Sequence, residues 1–224
     1  MNKLLLLMAA ALLLMAGCGE PLKYANPKVG LCGRPTASLG GVPYARSDPN
    51  ACAVAVRPFD VAVWTEAAYN SHKIRGRKTA ELGCQPLTPS VDNCAYCGPT
   101  GHATSMMVNF DATLYQGDVV VRRAVLAVHS PSDAEGLRNV WLRGRLNVGD
   151  ELQSLARNRG GMVRADRGGD GWVFFDVSHF VARAISERRN SIHFELSMPC
   201  QTPAANQVTV SVTQKEPQLI VEFN

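Results

Sequence analysis

Residues 171–198 read GWVFFDVSHFVARAISERRNSIHFELSM, and this stretch decides the fold. Trp172 to Val177 is an apolar, β-prone run that leaves the Gly168-Gly169-Asp170-Gly171 turn. Ser178 is a residue type suited to a helix N-cap. After it, Phe180, Val181, Ala184 and Ile185 share one face at helical spacing, with Arg183, Glu187, Arg188 and Arg189 elsewhere, and Asn190 ends the helix. From Ile192 the period drops to two. Ile192, Phe194, Leu196 and Met198 alternate with Ser191, His193, Glu195 and Ser197, the pattern of a strand with one face in a core.

Further strands lie in both directions. Gln207 to Thr213 and Gln218 to Phe223 read as strands on the C-terminal side. Upstream, Asn139 to Leu146 places Val140, Leu142 and Gly144 on one face and Trp141, Arg143 and Arg145 on the other. Val119 to His129 and Met106 to Phe110 are further β runs, and Ala53 to Val56 and Val61 to Trp64 are two more, split by Pro58. About eight to ten strands with one short helix predict an all-β sandwich. Helices are not interposed between strands as a parallel sheet requires.

Three segments fall outside this pattern. Residues 18–50 hold Pro21, Pro27, Pro35, Pro43 and Pro49 among five glycines and read as a tether with an irregular loop. Thr65 to Lys78 is polar and reads as a short helix or a loop. Residues 81–101, with three cysteines, three prolines and three glycines, read as a disulfide-stapled insertion in a sandwich domain spanning 51–224.

Residues 1–17 carry an address. Lys3 precedes an apolar run from Leu4 to Met15, about twelve residues that as a helix reach only about 18 Å. A spanning helix needs roughly 20 residues, so this is a signal-peptide core. It ends in Met15-Ala16-Gly17-Cys18, small residues before a cysteine, which resembles the lipobox of bacterial lipoproteins. That resemblance implies cleavage before Cys18, a diacylglyceryl group on its sulfur and acylation of its amine, which together make a stable anchor. Gly19, where retention at the inner membrane often uses Asp, favours the outer membrane; the leaflet side stays open.

Removing Cys18 from the seven cysteines leaves six: Cys32, Cys52, Cys84, Cys94, Cys97 and Cys200. An even number in an exported chain predicts three disulfides, with the pairing open. Cys94-Ala95-Tyr96-Cys97 is a C-x-x-C, but Gly98-Pro99-Thr100-Gly101 breaks the helix that a redox motif needs. Zinc binding by Cys84, Cys94, Cys97 and His102 fits the spacing only loosely.

Composition narrows the function classes. The chain of 224 residues is 46 % hydrophobic and 19 % charged, which excludes a disordered or low-complexity protein. A net charge of +4 is too small to imply nucleic-acid binding. No G-x-S-x-G, H-E-x-x-H or phosphate-loop motif is present, and His72, His102, His129, His179 and His193 are scattered without partnered motifs. No catalytic residue is therefore expected. Asp176, at the strand-to-helix junction, is expected to bond backbone amides. Asp166 and Asp170, in a Gly-rich turn, are the candidate oxygens for calcium, without the EF-hand register. Trp64, Trp141 and Trp172 are the only tryptophans. Trp141 beside Arg143 and Arg145 is the candidate ligand-binding group, because an indole stacks on a sugar ring while guanidinium forks grip carboxylate or sulfate. From Arg138 to Arg167 seven arginines face only Asp150, Glu151 and Asp166, an excess suited to acidic polysaccharide or lipid phosphate.

Three segments carry a family resemblance. Met107 to Leu114, followed by a turn and Val121 to Val128, is similar to the opening of the DNRLR-type domain: a strand ending in Phe-Asp, a short loop and an Ala-x-Leu strand. Trp172 to Ser178 resembles that family's W-x-x-F-D-V-T strand-to-helix junction, shared with TGF-β-type propeptides, with Ser178 in the Thr position. Pro217 to Phe223 resembles its P-x-L-x-V last strand. The cysteine-rich segment before Ala103 has no counterpart in the pattern. The resemblance implies a jelly-roll β-sandwich, and some bacterial members are carbohydrate-binding modules attached to polysaccharide-degrading enzymes. The expectation is a non-enzymatic outer-membrane lipoprotein that binds polysaccharide or a partner protein. The alternative is a structural or adhesion subunit of an envelope assembly, such as a surface gliding-motility machine; a glycan-processing enzyme comes third.

Overall fold

A computed structural model describes residues 39–48, 51–67, 70–74, 77–86, 101–113, 119–131, 136–146, 153–156, 165–167, 170–198 and 207–223. Thirteen strands appear among them: β1 (Cys52–Val56), β2 (Asp60–Ala67), β3 (Asn70–Ile74), β4 (Thr79–Pro86), β5 (Gly101–Asp111), β6 (Val121–His129), β7 (Trp141–Arg145), β8 (Gln153–Ala156), β9 (Ala165–Arg167), β10 (Trp172–Asp176), β11 (Ser191–Ser197), β12 (Val208–Ser211) and β13 (Gln218–Phe223). One α-helix among the described residues, α1 (Ser178–Ser186), joins β10 to β11.

All strand pairings are antiparallel, and the strands form two sheets, the all-β sandwich that the period-two runs predict. The first sheet has the order β1-β13-β6-β10-β9. In the second, β5 is the organising strand. Along one edge it pairs with β2, which carries β3 beyond it. Along the other it pairs first with β11 and then, at Gly101 to Thr104, with β4. β7 and β8 extend the sheet past β11, and β12 extends it past β4.

The main core lies between the sheets. Leu126, Val128, Val173, Phe175, Leu219, Val221 and Phe223 from the first sheet meet Val63, Leu82, Met106, Val108, Phe110, Leu142, Phe194 and Leu196 from the second. The buried face of α1, which packs on β6 and β11, adds Phe180, Val181, Ala184 and Ile185 to that core. Phe194 holds it there, with ring centroids 5.8 Å from Phe180 and 6.0 Å from Phe110. Each such side chain contributes about 1.5–3 kcal/mol on burial.

Five local expectations are corrected. Val177, not Ser178, is the N-cap of α1, and it makes no side-chain cap bond. Ser178 instead ties the helix start to β6: its Oγ accepts from the Ala124 N–H at 2.8 Å. Asp176 does take the expected role, since its Oδ1 accepts from the Ser178 N–H at 2.9 Å. The helix stops at Ser186, before Asn190, through a left-handed Arg188 (φ 52). There the Arg189 N–H reaches the Ala184 carbonyl and the Arg188 N–H the Ile185 carbonyl, a Schellman arrangement with Arg where Gly is usual. The polar stretch 65–78 forms the end of β2 and all of β3, a hairpin in place of a helix or loop. Its polarity misleads because propensity yields to pairing: β2 lies along the long β5. The insertion read over 81–101 opens as strand β4 for the same reason, paired on both edges by β12 and β5.

The fifth correction concerns the tether. Residues 39–48, placed in the tether of 18–50, pack on the outer face of the first sheet. Leu39 and Val42 bridge each other across Gly40 (φ 60) and Gly41 (φ 84), a turn that needs two left-handed residues. Val42 and Tyr44 then bury against Val125, Ala127, Trp172, Phe174 and Ile220. The strap also satisfies Glu222, which is 0 % exposed. Tyr44 Oη donates to its Oε1 at 2.7 Å, the Ser47 N–H donates at 2.8 Å, and Ser47 Oγ donates to Oε2. A carboxylate with no access to water requires such partners. Burial and the neighbouring Glu222 carboxylate push the Tyr44 hydroxyl well above its ordinary pKa. The strap explains why every residue of β13 is buried although its strand has two faces.

Candidate functional site

The outer face of the second sheet is built by β7, β11, β5 and β2. On β7 the alternation holds as expected: Leu142 and Gly144 are buried, Trp141 is exposed, and Arg143 and Arg145 are half-buried. Period two sends Trp141, Arg143 and Arg145 to one side because Leu142 is needed in the core.

Register then decides what each side chain meets. Across β7 and β11, Trp141 stands opposite Ser197, Arg143 opposite Glu195, and Arg145 opposite His193. Glu195 is only 6 % exposed, and Arg143 Nη2 donates to its Oε1 in an ion pair. Burying a carboxylate is costly without a cation. Arg143 therefore balances a charge within the sheet, whereas the sequence grouped it with the ligand contacts. Arg145 differs in having no ion pair among the described residues, although its Nε is buried without a hydrogen-bond partner. The Nε of Arg143 shares that state, since its ion pair uses Nη2.

The next row is a hydrogen-bonded chain. Asp60 on β2 faces Asn109 on β5, and Asn109 faces His193 on β11. Asn109 Nδ2 donates to Asp60 Oδ2 at 3.1 Å, which turns Asn109 Oδ1 toward His193 Nδ1 at 2.6 Å. An acceptor at Nδ1 places the imidazole proton there and leaves Nε2 to accept from Ser191 Oγ at 2.9 Å. The carboxylate thus sets the histidine tautomer two strands away. At the far end of this row Asp60 also lines a cleft of about 220 Å³ with Phe59, Arg77 and Glu216.

His129 is the second histidine with partners. Its Nδ1 lies 2.8 Å from Ser211 Oγ, its Nε2 lies 3.1 Å from Lys215 Nζ, and its ring meets Trp172 edge-on at 5.3 Å. Burial first and the Lys215 charge second hold its pKa below the ordinary histidine value. The sequence reading of scattered histidines is therefore corrected for His129 and His193. Their partners lie 82 and 84 residues away along the chain, and only register brings them together.

The chain matches no family model and no curated protein. The site is therefore read from its own geometry.

The remaining sequence-derived residues divide in two. Cys52, at the start of β1, is disulfide-bonded. Cys18, Cys32, Cys94, Cys97 and Cys200 lie outside the described residues, as do the side chains of Cys84 on β4 and His102 on β5. Asp170 is exposed in a left-handed turn (φ 56), and Asp166 sits on β9, its side chain outside the described residues. Among the described residues no three of His, Cys, Asp and Glu gather where a metal could sit, and no helix is long and apolar enough to cross a membrane. Trp172, an equal candidate by composition, is 2 % exposed beneath the strap. Trp141 keeps 36 % of its surface in solvent.

Proposed function

We propose that this protein is a non-enzymatic lipoprotein of the cell envelope, held at the outer membrane through lipidated Cys18, whose second sheet presents a binding face for acidic polysaccharide. The observation that carries this reading is the pair Trp141 and Arg145 on one face of β7. An exposed indole stands four residues, about 13 Å, from the half-buried Arg145, which forms no ion pair among the described residues. The indole offers a flat apolar surface to the C–H side of a sugar ring, and the guanidinium offers a fork to its carboxylate or sulfate. The arginine excess from Arg138 to Arg167 favours an anionic chain over a neutral one. The resemblance to DNRLR-type domains, some of which serve as carbohydrate-binding modules, points the same way. Calcium on Asp166 and Asp170 plays no part in this reading.

Retention of the full chain, in detergent, on immobilised polygalacturonate and on a neutral glucan tests it. Wild type is retained on the acidic polymer and released by salt, because exposed charges are screened beyond about 10 Å at 0.1 M ionic strength. Trp141→Ala and Arg145→Ala lose retention while keeping the wild-type unfolding midpoint. If both variants fold and are retained like wild type, this face is not the binding site. A stable complex with other envelope proteins and no retention would favour the structural-subunit alternative.

A further inference from the structure

The outer face of the second sheet holds a second indole that the β7 pattern does not reveal. On β2, Val61 and Val63 turn to the core, so Asp60, Ala62 and Trp64 turn outward, and Trp64 is half-buried. Trp64 stands opposite Ser105 on β5. On the other side of the sheet, Trp141 stands opposite Ser197 on β11. The β11–β5 pairing runs through Leu196 and Met106, one residue short of Ser197 and Ser105. The row therefore reads Trp141, Ser197, Ser105, Trp64 across four adjacent strands. Ser197 and Ser105, both half-buried, are the low middle of the row. The third indole, Trp172, belongs to the other sheet and is 2 % exposed.

We propose that Trp141 and Trp64 are the two ends of one extended site, which binds an anionic oligosaccharide lying across the strands. Three strand spacings separate the indoles by about 14 Å. One sugar ring cannot touch both, and a chain of about four linked pyranoses spans them at that distance. Between the indoles the serines leave space for the inner rings and offer hydroxyls to them. The charges lie to one side of the row. Arg143 is two residues and Arg145 four residues along β7 from Trp141, about 7 and 13 Å. Glu195 neutralises Arg143, and Asp60 stands on the same side four residues along β2 from Trp64, so the positive charge is confined to the Trp141 end, at Arg145. A carboxylate on the ring at the Trp141 end meets this cation. This inference rests on the proposed binding of acidic polysaccharide and adds the length and direction of the ligand.

Titration of the full chain with galacturonate oligomers of defined length, from the dimer to the hexamer, tests it. Wild type shows a step of about tenfold in affinity, equal to about 1.4 kcal/mol, once the oligomer reaches both indoles, and no further step beyond. Trp64→Ala removes the step and keeps the affinity for the dimer, whereas Trp141→Ala weakens both. Acrylamide quenching of the wild-type protein supplies a readout that does not depend on a variant folding. A short oligomer shields one exposed tryptophan and a long one shields two, with Trp172 shielded throughout. Binding through Trp141 with no length step, or a step that survives Trp64→Ala, overturns the extended site and leaves the proposed function standing. Failure of every oligomer and of polygalacturonate to bind overturns both.

Discussion

Arg143→Ala and Arg145→Ala look alike in sequence, and the structure predicts opposite behaviour. Both residues point outward from β7, but Arg143 is the ion-pair partner of Glu195, whose side chain keeps only 8 % of its surface in solvent. Removing one partner of a fully buried pair costs about 3–5 kcal/mol, because the other charge stays behind in low dielectric. Arg143 itself is 40 % exposed on the side-chain scale, so water and salt screen part of the interaction. The expected cost is about 2 kcal/mol for Arg143→Ala, or roughly 4–8 °C in unfolding midpoint for a domain of this size. For Arg145→Ala, whose guanidinium holds no carboxylate among the described residues, it is within about 0.5 kcal/mol of zero. Denaturant unfolding of wild type, both single variants, Glu195→Gln and the Arg143→Ala/Glu195→Gln pair gives the answer. The double variant should recover most of the loss of Arg143→Ala, because the stranded charge is gone. Equal costs for the two arginine variants, or no recovery in the double variant, would refute this division of the face into a structural and a ligand-facing cation.

Three further outcomes follow from other parts of the molecule. His129 is held below its ordinary pKa by burial and by Lys215, against a smaller opposing influence of Asp170. The unfolded chain therefore takes up a proton before the folded one. Its contribution is complete above about pH 6.5 and is lost as pH falls through the folded value. His129→Gln should flatten that part of the stability–pH curve, and an unchanged slope would count against the assignment. Tyr44→Phe removes one of the donors to the buried Glu222 carboxylate, and a hydrogen bond to a charged group is worth about 1.5–3 kcal/mol. Chemical unfolding should show a loss in that range, and a neutral result would mean that the strap does not depend on this bond. Cys18→Ala should leave an uncleaved precursor without acyl-chain labelling, and normal labelling would remove the lipoprotein reading.

Period two was legible wherever one face of a strand meets the core and the other does not. Asn139 to Leu146 and the outward set Trp141, Arg143 and Arg145 follow from that period alone, whereas β10 and β13 were legible as continuous apolar runs and the buried face of α1 from its helical spacing. Local chemistry also identified Asp176 as the acceptor for the turn. The proposed lipobox is likewise a local reading, because the machinery that the resemblance implies would act on an unfolded segment. Polar segments were misread where pairing partners overrule composition. β3 and β4 carry little apolar pattern, and they are strands because their backbone groups find β2, β5 and β12. The strap at 39–48 looks like a linker because a run of proline and glycine conceals two apolar anchors, Val42 and Tyr44. Only the assembled first sheet offers them a surface.

The sequence by itself determined which side chains share a face, because that depends on the two-residue repeat of an extended chain. Tertiary structure decided what lies opposite them. Glu195 faces Arg143, and His193 meets Asn109 across 84 residues of chain, because β11 lies between β7 and β5. Strand order also placed Trp64 in the row of Trp141, put Trp172 under the strap, and made Arg143 and Arg145 unequal. Strand order depends on the sum of weak contacts over the whole sheet, and no short stretch of sequence contains that sum.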